Sequence, residues 1–305
     1  VSDFDVAVIG AGPAGLSAAL GLVRSRRTVL LVDSNRPRNA ATLRSHGFLT
    51  RDGVPPLELR KLGREEFEGY PGANFHAGLV QRVQHDADGF RLSVRGIRGS
   101  SDLEATVGNI VVATGLIEKL PSVPSLRAWY GTDLHSCIEC DGYEKRDAAL
   151  ALIGESGDLA ERALLISQWS SDLIVFTNGS AAVTPAEQAA LARRGVQVER
   201  RAIADVVGER GRMTGVLLED GETIPREAGF VRPEWTPAID YLDGIGVRLD
   251  DSGLIAVDGL GRTSVVGVYA AGDSTAPGPE QLIIAAGHGA QVAAALNRDL
   301  LGPLL

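Results

Sequence analysis

The stretch HSCIECDGYE holds Cys137 and Cys140, the only cysteines among 305 residues. Two thiols three positions apart close a small disulfide and reopen it with little movement of the backbone. Exchange through such a pair runs by thiolate attack and a mixed disulfide. In a chain that otherwise avoids cysteine, a lone C-x-x-C suggests redox or metal work and not a structural staple. The metal alternative is half of a zinc site. Zinc needs four ligands, no further cysteine exists, and His46, His76, His85, His135 and His288 show no ligand spacing. No metal is expected.

A redox pair needs an electron carrier, and the N-terminal segment offers a place for one. DVAVIGAGPAGLSAALGLVRSRRTVLLVDS reads as strand, glycine turn, helix and strand. Gly10, Gly12 and Gly15 form G-x-G-x-x-G, with Pro13 and Ala14 inside the turn. The first glycine allows the tight turn, the second lets the backbone approach a pyrophosphate, and the third lets helix and strand pack closely. The helix N-terminus adds N–H donors and a partial positive charge. Asp33, followed by Ser34, ends the next strand 18 residues after Gly15, where a carboxylate accepts from a ribose hydroxyl. This is a dinucleotide-binding pattern, and by itself it does not choose between FAD and NAD. A glycine turn without a ligand is the plain alternative.

A second unit of the same kind begins near Ala148, in AALALIGESGDLAERALLISQWSSDLIVFTNG. RVQHDADGFRLSVRG and MTGVLLEDGETI read as hairpins. PPLELRKLGREEFEGY looks helical, GVYAAGD is a strand, and PEQLIIAAGHGAQVAAALNRDLL is a long helix with a proline near its start. The fold class is α/β, with two doubly wound, three-layer, Rossmann-like domains. Residues 1–115 and 242–305 form a discontinuous first domain, and 116–241 an inserted domain carrying the C-x-x-C. LIEKLPSVP and VRPEWTP are the crossings, read as proline-bearing linkers.

Two further segments, Val111–Gly115 with Ala113, Thr114 and Gly115, and Gly267–Asp273 with Gly272, resemble the remaining motifs of two-dinucleotide flavoproteins. That resemblance implies FAD at the first turn, with Asp273 at the ribityl and phosphate region. It implies that the last helix, opening at Gln281, Leu282 and Ile283, points its N-terminus at the isoalloxazine. With those motifs present, CIECDGYE resembles the low-molecular-weight thioredoxin reductase family, whose signature is C-x-x-C-D-G, and the resemblance runs the length of the chain. It implies that Cys140 faces the flavin, that Cys137 exchanges with substrate, and that Asp141 is the acid or base of the exchange. His135 could help to lower a thiol pKa, although an exposed histidine without a role is the plainer reading. A homodimer is implied as well.

The inserted domain departs from the reductase pattern. There the family's NADPH site resembles G-x-G-x-x-A followed by a basic H-R-R-x-x-x-R stretch. Here Ser156 and Leu159 hold the second and third places, and a one-residue slip to Gly154, Gly157 and Ala160 fits irregularly. Thr177, Asn178 and Gly179 stand where the arginines belong, and Arg193 and Arg194 read as a solvated helix end. A 2′-phosphate would lose its charge-assisted partners, so the reading argues against NADPH, with NADH or another surface as the alternative. The pattern resembles two branches of the family. One is the FAD-dependent dithiol oxidases similar to those that close the gliotoxin and holomycin disulfides, with O2 as acceptor. The other is the reductases that lack an NADPH site and use a donor such as ferredoxin. DSNRPRNAATLRSHGF looks like these branches, whereas Asp141 matches ordinary reductases, since a histidine often follows the C-x-x-C of the oxidases.

Composition bounds the partners. The net charge is −9, which argues against nucleic acid and anionic membranes, because phosphates need a basic face. Apolar runs such as NIVVATGL fall short of the roughly 20 residues a bilayer needs. The opening VSDFDVAVIG lacks the basic start of a secretory signal, so a cytoplasmic protein is expected. The favoured reading is oxidation of a small-molecule dithiol. The alternative is reduction of a thioredoxin-like protein, and a flavin-binding regulatory protein would leave the C-x-x-C-D unexplained.

Overall fold

The computed structural model describes residues 2–275 and 278–302. The chain divides into two compact units, one of Val1–Arg38, Gly47–Ile117 and Thr236–Leu305, the other of Asn39–His46 and Glu118–Trp235.

In the first unit, β1 (Phe4–Ile9) leads through the glycine turn into α1 (Pro13–Arg24), then β2 (Val29–Asp33). β2 reads VLLVD and is buried along its whole length, as a parallel strand covered on both faces must be. The side chains of β1 alternate: Val6 and Val8 enter the helix-side core with Leu16, Leu22 and Leu31, while Ala7 and Ile9 enter the opposite core with Leu30, Phe90 and Leu92. After α2 (Pro56–Glu68) come β3 (Ala73–Asp86), β4 (Gly89–Gly96) and β5 (Leu103–Val112). β3 and β5 are long enough to serve two partners each. β3 runs parallel to β2 over Ala73–Ala77 and then pairs antiparallel with β4. β5 starts antiparallel to β4 and continues parallel to β1.

The chain leaves the first unit along β6 (Leu116–Lys119), which pairs with β15 (Glu234–Pro237), the returning segment. The two expected linkers therefore contain a short strand pair. The second unit runs through α3 (Leu126–Trp129), β7 (Leu134–His135), α4 (Ile138–Asp141), β8 (Leu150–Ile153), α5 (Leu159–Ile166), β9 (Leu173–Phe176), α6 (Pro185–Ala192) and β10 (Gln197–Glu199). Thr184 and Glu187 close a capping box on α6. An antiparallel ribbon follows, β11 (Ile203–Glu209), β12 (Arg212–Leu218) and β13 (Thr223–Pro225), then β14 (Ala228–Val231). The parallel sheet has the order β10-β9-β8-β14-β7.

Back in the first unit, β16 (Val268–Ala270) extends the sheet beside β5, and α7 (Leu282–Asp299) packs on α1. That packing is close: a Cβ on Gly289 would lie 2.0 Å from the Ala14 carbonyl oxygen. α7 opens at Leu282 with Gln281 as its N-cap, where its motif places it, so Pro279 lies outside the helix. Among the described residues, no helix is long and apolar enough to cross a membrane.

Candidate active site

Cys137 and Cys140 are joined in a disulfide. Cys137 caps the one-turn α4, and the Cys140 N–H donates to its Sγ at 3.2 Å. The segment before it is fixed by Tyr130, which bonds Glu118 and, at 2.7 Å, the Ser136 hydroxyl. Arg162 donates to the Ser136 carbonyl at 2.9 Å. Gly142 has a packing reason: a Cβ there would stand 2.7 Å from the Trp169 ring and 2.8 Å from the Ile138 carbonyl oxygen. The Asp-Gly after the cysteines thus lets α4 lie against that indole.

Asp141 and His135 come together, with Nε2 and Oδ1 3.4 Å apart. The expectation of an exposed histidine is overturned. β7 pairs with β14, Leu134 opposite Gly229 and His135 opposite Phe230, and His135 is only 8% exposed. Asp141 is equally buried, and Lys145, 7% exposed, donates to the Thr132 carbonyl at 3.1 Å. Burial pushes the Asp141 carboxyl up to about 6, against the charges of Lys145 and His46. Burial, aided by Lys145, pulls the His135 imidazole down to about 3. Burial also lowers Lys145, opposed by Asp141 and Asp133.

The first glycine turn has the geometry its motif requires. Gly10 has φ +104°, and a Cβ there would meet the Ala113 carbonyl oxygen at 2.4 Å. A Cβ on Gly15 would meet the Gly10 carbonyl oxygen at 1.8 Å. Gly12 faces open space, with nothing within 4 Å of its missing Cβ. α1 follows with Pro13 and Ala14 in its first turn and no side-chain cap on its amides. Asp33 ends β2, accepting from the Ala11 N–H at 3.0 Å and, on its other oxygen, from the Asn35 N–H at 2.9 Å and Arg60 at 2.5 Å. One lone pair on the first oxygen remains for a ligand hydroxyl. Ser34 follows it. Ala113, Thr114 and Gly115 continue from β5, and Thr114 donates to the Ala238 carbonyl. Gly272 takes φ +75° after β16, and Asp273 pairs with Arg38 at 2.6 Å. Leu282 and Ile283 open α7, whose N-terminus has no side-chain cap and no acid in its first turn. These residues fit a dinucleotide pyrophosphate, since an open backbone cradle and uncapped amides are what that group binds. Sequence reading missed Arg38 and Arg60, which lie far along the chain from the acids they hold and carry no local signal.

The second glycine turn is built differently. A Cβ on Gly154 would strike Arg232 Cβ at 2.8 Å and Leu159 Cδ2 at 2.9 Å. Asp158 is the N-cap of α5, its two oxygens held by the Ser156 hydroxyl at 2.5 Å and Arg232 at 2.7 Å. Burial would raise that carboxyl, but Ser156 and Arg232 hold it below its ordinary value. Glu155 accepts from the Asn178 amide at 2.7 Å, and Asn178 in turn accepts from the Ile203 N–H. Arg201, after β10, is engaged by Glu199, Asp220 and Glu222, and Arg200 by Gln188 and the Val183 carbonyl.

The chain matches the family described as pyridine nucleotide-disulphide oxidoreductase over residues 4–289. A protein of Arthroderma benhamiae named as a probable thioredoxin reductase is 33% identical over 178 residues, which is 58% of this chain and only 44% of that protein. Thioredoxin reductase tcpT of Claviceps purpurea is 28% identical over 287 residues, 89% of this chain and 87% of that one. The solved structure of HlmI has 40% identity and a TM-score of 0.89, covering 97% of this chain and 92% of that one.

Proposed function

The chain belongs to the pyridine nucleotide-disulphide oxidoreductase family, and within it we propose that the protein oxidises a small-molecule dithiol through Cys137 and Cys140, with FAD as internal acceptor and O2 as final acceptor. The observation that carries the direction is the second glycine turn. It bears Glu155 and Asp158 where a pyridine dinucleotide would bring its pyrophosphate, and Asn178 where a 2′-phosphate would need cations. The Glu155 carboxylate there repels a phosphate donor, and the Arg232 guanidinium is already paired with Asp158. Electrons then enter from a thiol substrate at the cysteines.

FAD is the cofactor of this family of thioredoxin reductase-like flavoenzymes, and when bound it supplies a two-electron acceptor that O2 reoxidises to give peroxide. Gly10, Gly12, Gly15, Asp33, Gly272 and Asp273 would hold it. The remaining chemistry belongs to the chain. Cys137 takes the substrate thiolate into a mixed disulfide, Cys140 is the leaving sulfur, and Asp141 supplies and recovers the proton.

A second reading is reduction of a thioredoxin-like disulfide with a donor such as ferredoxin. Asp141 directly after Cys140 favours it, being the arrangement of the ordinary reductases. Aerobic turnover with a panel of small dithiols separates the two. The proposal expects about one peroxide per disulfide formed, with turnover falling by about 10³-fold or more in Cys137→Ser. Thioredoxin reduction without peroxide would overturn it.

A further inference from the structure

The His135–Asp141 pair is buried, lies 3.4 Å apart, and brackets the redox cysteines in the sequence. The charged groups facing it come from several elements: Glu144 and Lys145 after α4 and His46 from the Asn39–His46 segment, with Asp133 before β7 and Arg212 on β12 acting in turn on Lys145. Most are already engaged with one another. His46 meets Glu144 at 3.8 Å, Arg212 meets Asp133 at 3.8 Å, and Lys145 donates to Thr132. Holding both an imidazolium and a carboxylate in this space would require desolvating two ions, and Lys145 adds a like charge against the imidazolium. A neutral imidazole beside a carboxylic acid avoids both costs. At 3.4 Å the two side chains are in contact but not hydrogen-bonded in this structure, an approach of the kind that tightens when a reacting partner binds.

We propose that His135 is a positioning residue whose neutral Nε2 accepts from the Asp141 carboxyl, holding Asp141 in its acid form toward neutral pH so that it protonates the leaving cysteine sulfur. The inference rests on the dithiol-exchange reading above. In the step, a substrate thiol ionises to solvent, and its thiolate attacks Cys137 Sγ. The S–S electron pair leaves on Cys140 Sγ, which takes the Asp141 proton. The second substrate thiol returns a proton to Asp141 and displaces Cys137 as thiolate. The substrate loses two electrons, the cysteine pair gains them, and one proton remains on Cys140.

The pair also leaves a mark on stability. Asp141, raised to about 6 from 3.8, takes up a proton on folding between those values, so alone it loses stability as pH rises through them. His135, lowered to about 3 from 6.5, releases one, so alone it gains stability as pH rises from about 3 to 6.5. Between about 4 and about 6 the two slopes cancel, because the pair binds one proton in both states. Urea titrations should therefore show Asp141→Asn more stable as pH rises through that window, and His135→Gln less stable.

The decisive test is anaerobic reduction of the holoenzyme disulfide by dithiothreitol, quenched by alkylation from about pH 5 to about pH 8, with rates divided by the thiolate fraction. Wild type should show a midpoint that Asp141→Asn removes. His135→Phe should lower that midpoint by about one unit and the rate at neutral pH about tenfold. His135→Gln, whose amide oxygen accepts from the carboxyl, should restore most of both. If His135→Phe does not fold, His135→Asn, too short to reach Asp141, should give the same downward shift. A midpoint that stays or rises in these variants overturns the role of His135 alone. Flavin reduction by dithiothreitol at an unchanged rate in Cys137→Ser overturns the exchange reading beneath it.

Discussion

At the turn between β1 and α1, the missing Cβ of Gly12 looks into open space, the helix has no acid at its N-cap or in its first turn, and the acid at the next strand end is held by Arg60. At the turn between β8 and α5, the space over Gly154 is filled by Arg232, the helix is headed by Asp158, and the next strand end offers an asparagine tied to Glu155. The backbone plan is shared: parallel strand, glycine turn, helix, parallel strand. The two turns differ in the side chains laid over that plan, and fold alone does not assign a ligand.

The comparison breaks most severely at Gly15. With the Gly10 carbonyl oxygen 1.8 Å from the place of its Cβ, Gly15→Ala should cost about 3 kcal/mol or more and abolish flavin retention, read by urea unfolding and the absorbance of the purified protein. Gly157 offers the internal contrast: nothing lies within 4 Å of its Cβ position, so Gly157→Ala should leave stability within about 0.5 kcal/mol.

Gly12→Ala should leave the first unit folded but place a methyl where the pyrophosphate approaches. Two backbone hydrogen bonds lost at about 1.4 kcal/mol each weaken FAD by about 10²-fold, measurable by titrating apoprotein. A variant with unchanged FAD affinity would mean that the open face of this turn is not the binding face.

The smallest effect sharpens the other side. Replacing both acids of the second turn, Glu155→Ala with Asp158→Ala, should strengthen NADPH binding by about tenfold, near 1.4 kcal/mol, while dithiol oxidation stays within about twofold. Calorimetry on the double variant checks it, and unchanged binding would show that the carboxylates are not what rejects the nucleotide.

Much of this was legible in the residues. The βαβ units, both hairpins and the paired cysteines follow from local patterns, because strand composition, turn glycines and C-x-x-C spacing act over a few positions. The burial of His135 was not. It depends on β7 pairing with β14, and two residues of strand give no periodicity to read. Asp158 with Arg232 and Asp33 with Arg60 are also contacts between distant positions. The acids at the second turn were visible as letters, but only the fold shows that they are held in the turn by Ser156, Arg232 and Asn178.

The central claim is that electrons enter at Cys137 and Cys140 from a dithiol and not through the second turn. An anaerobic titration of the flavin-loaded protein tests it most directly, with NADPH in one cuvette and a small dithiol in another, followed by air. The account predicts bleaching of the flavin by the dithiol only, loss of that bleaching in Cys137→Ser, and recovery with peroxide on admitting air. Prompt bleaching by NADPH would contradict it.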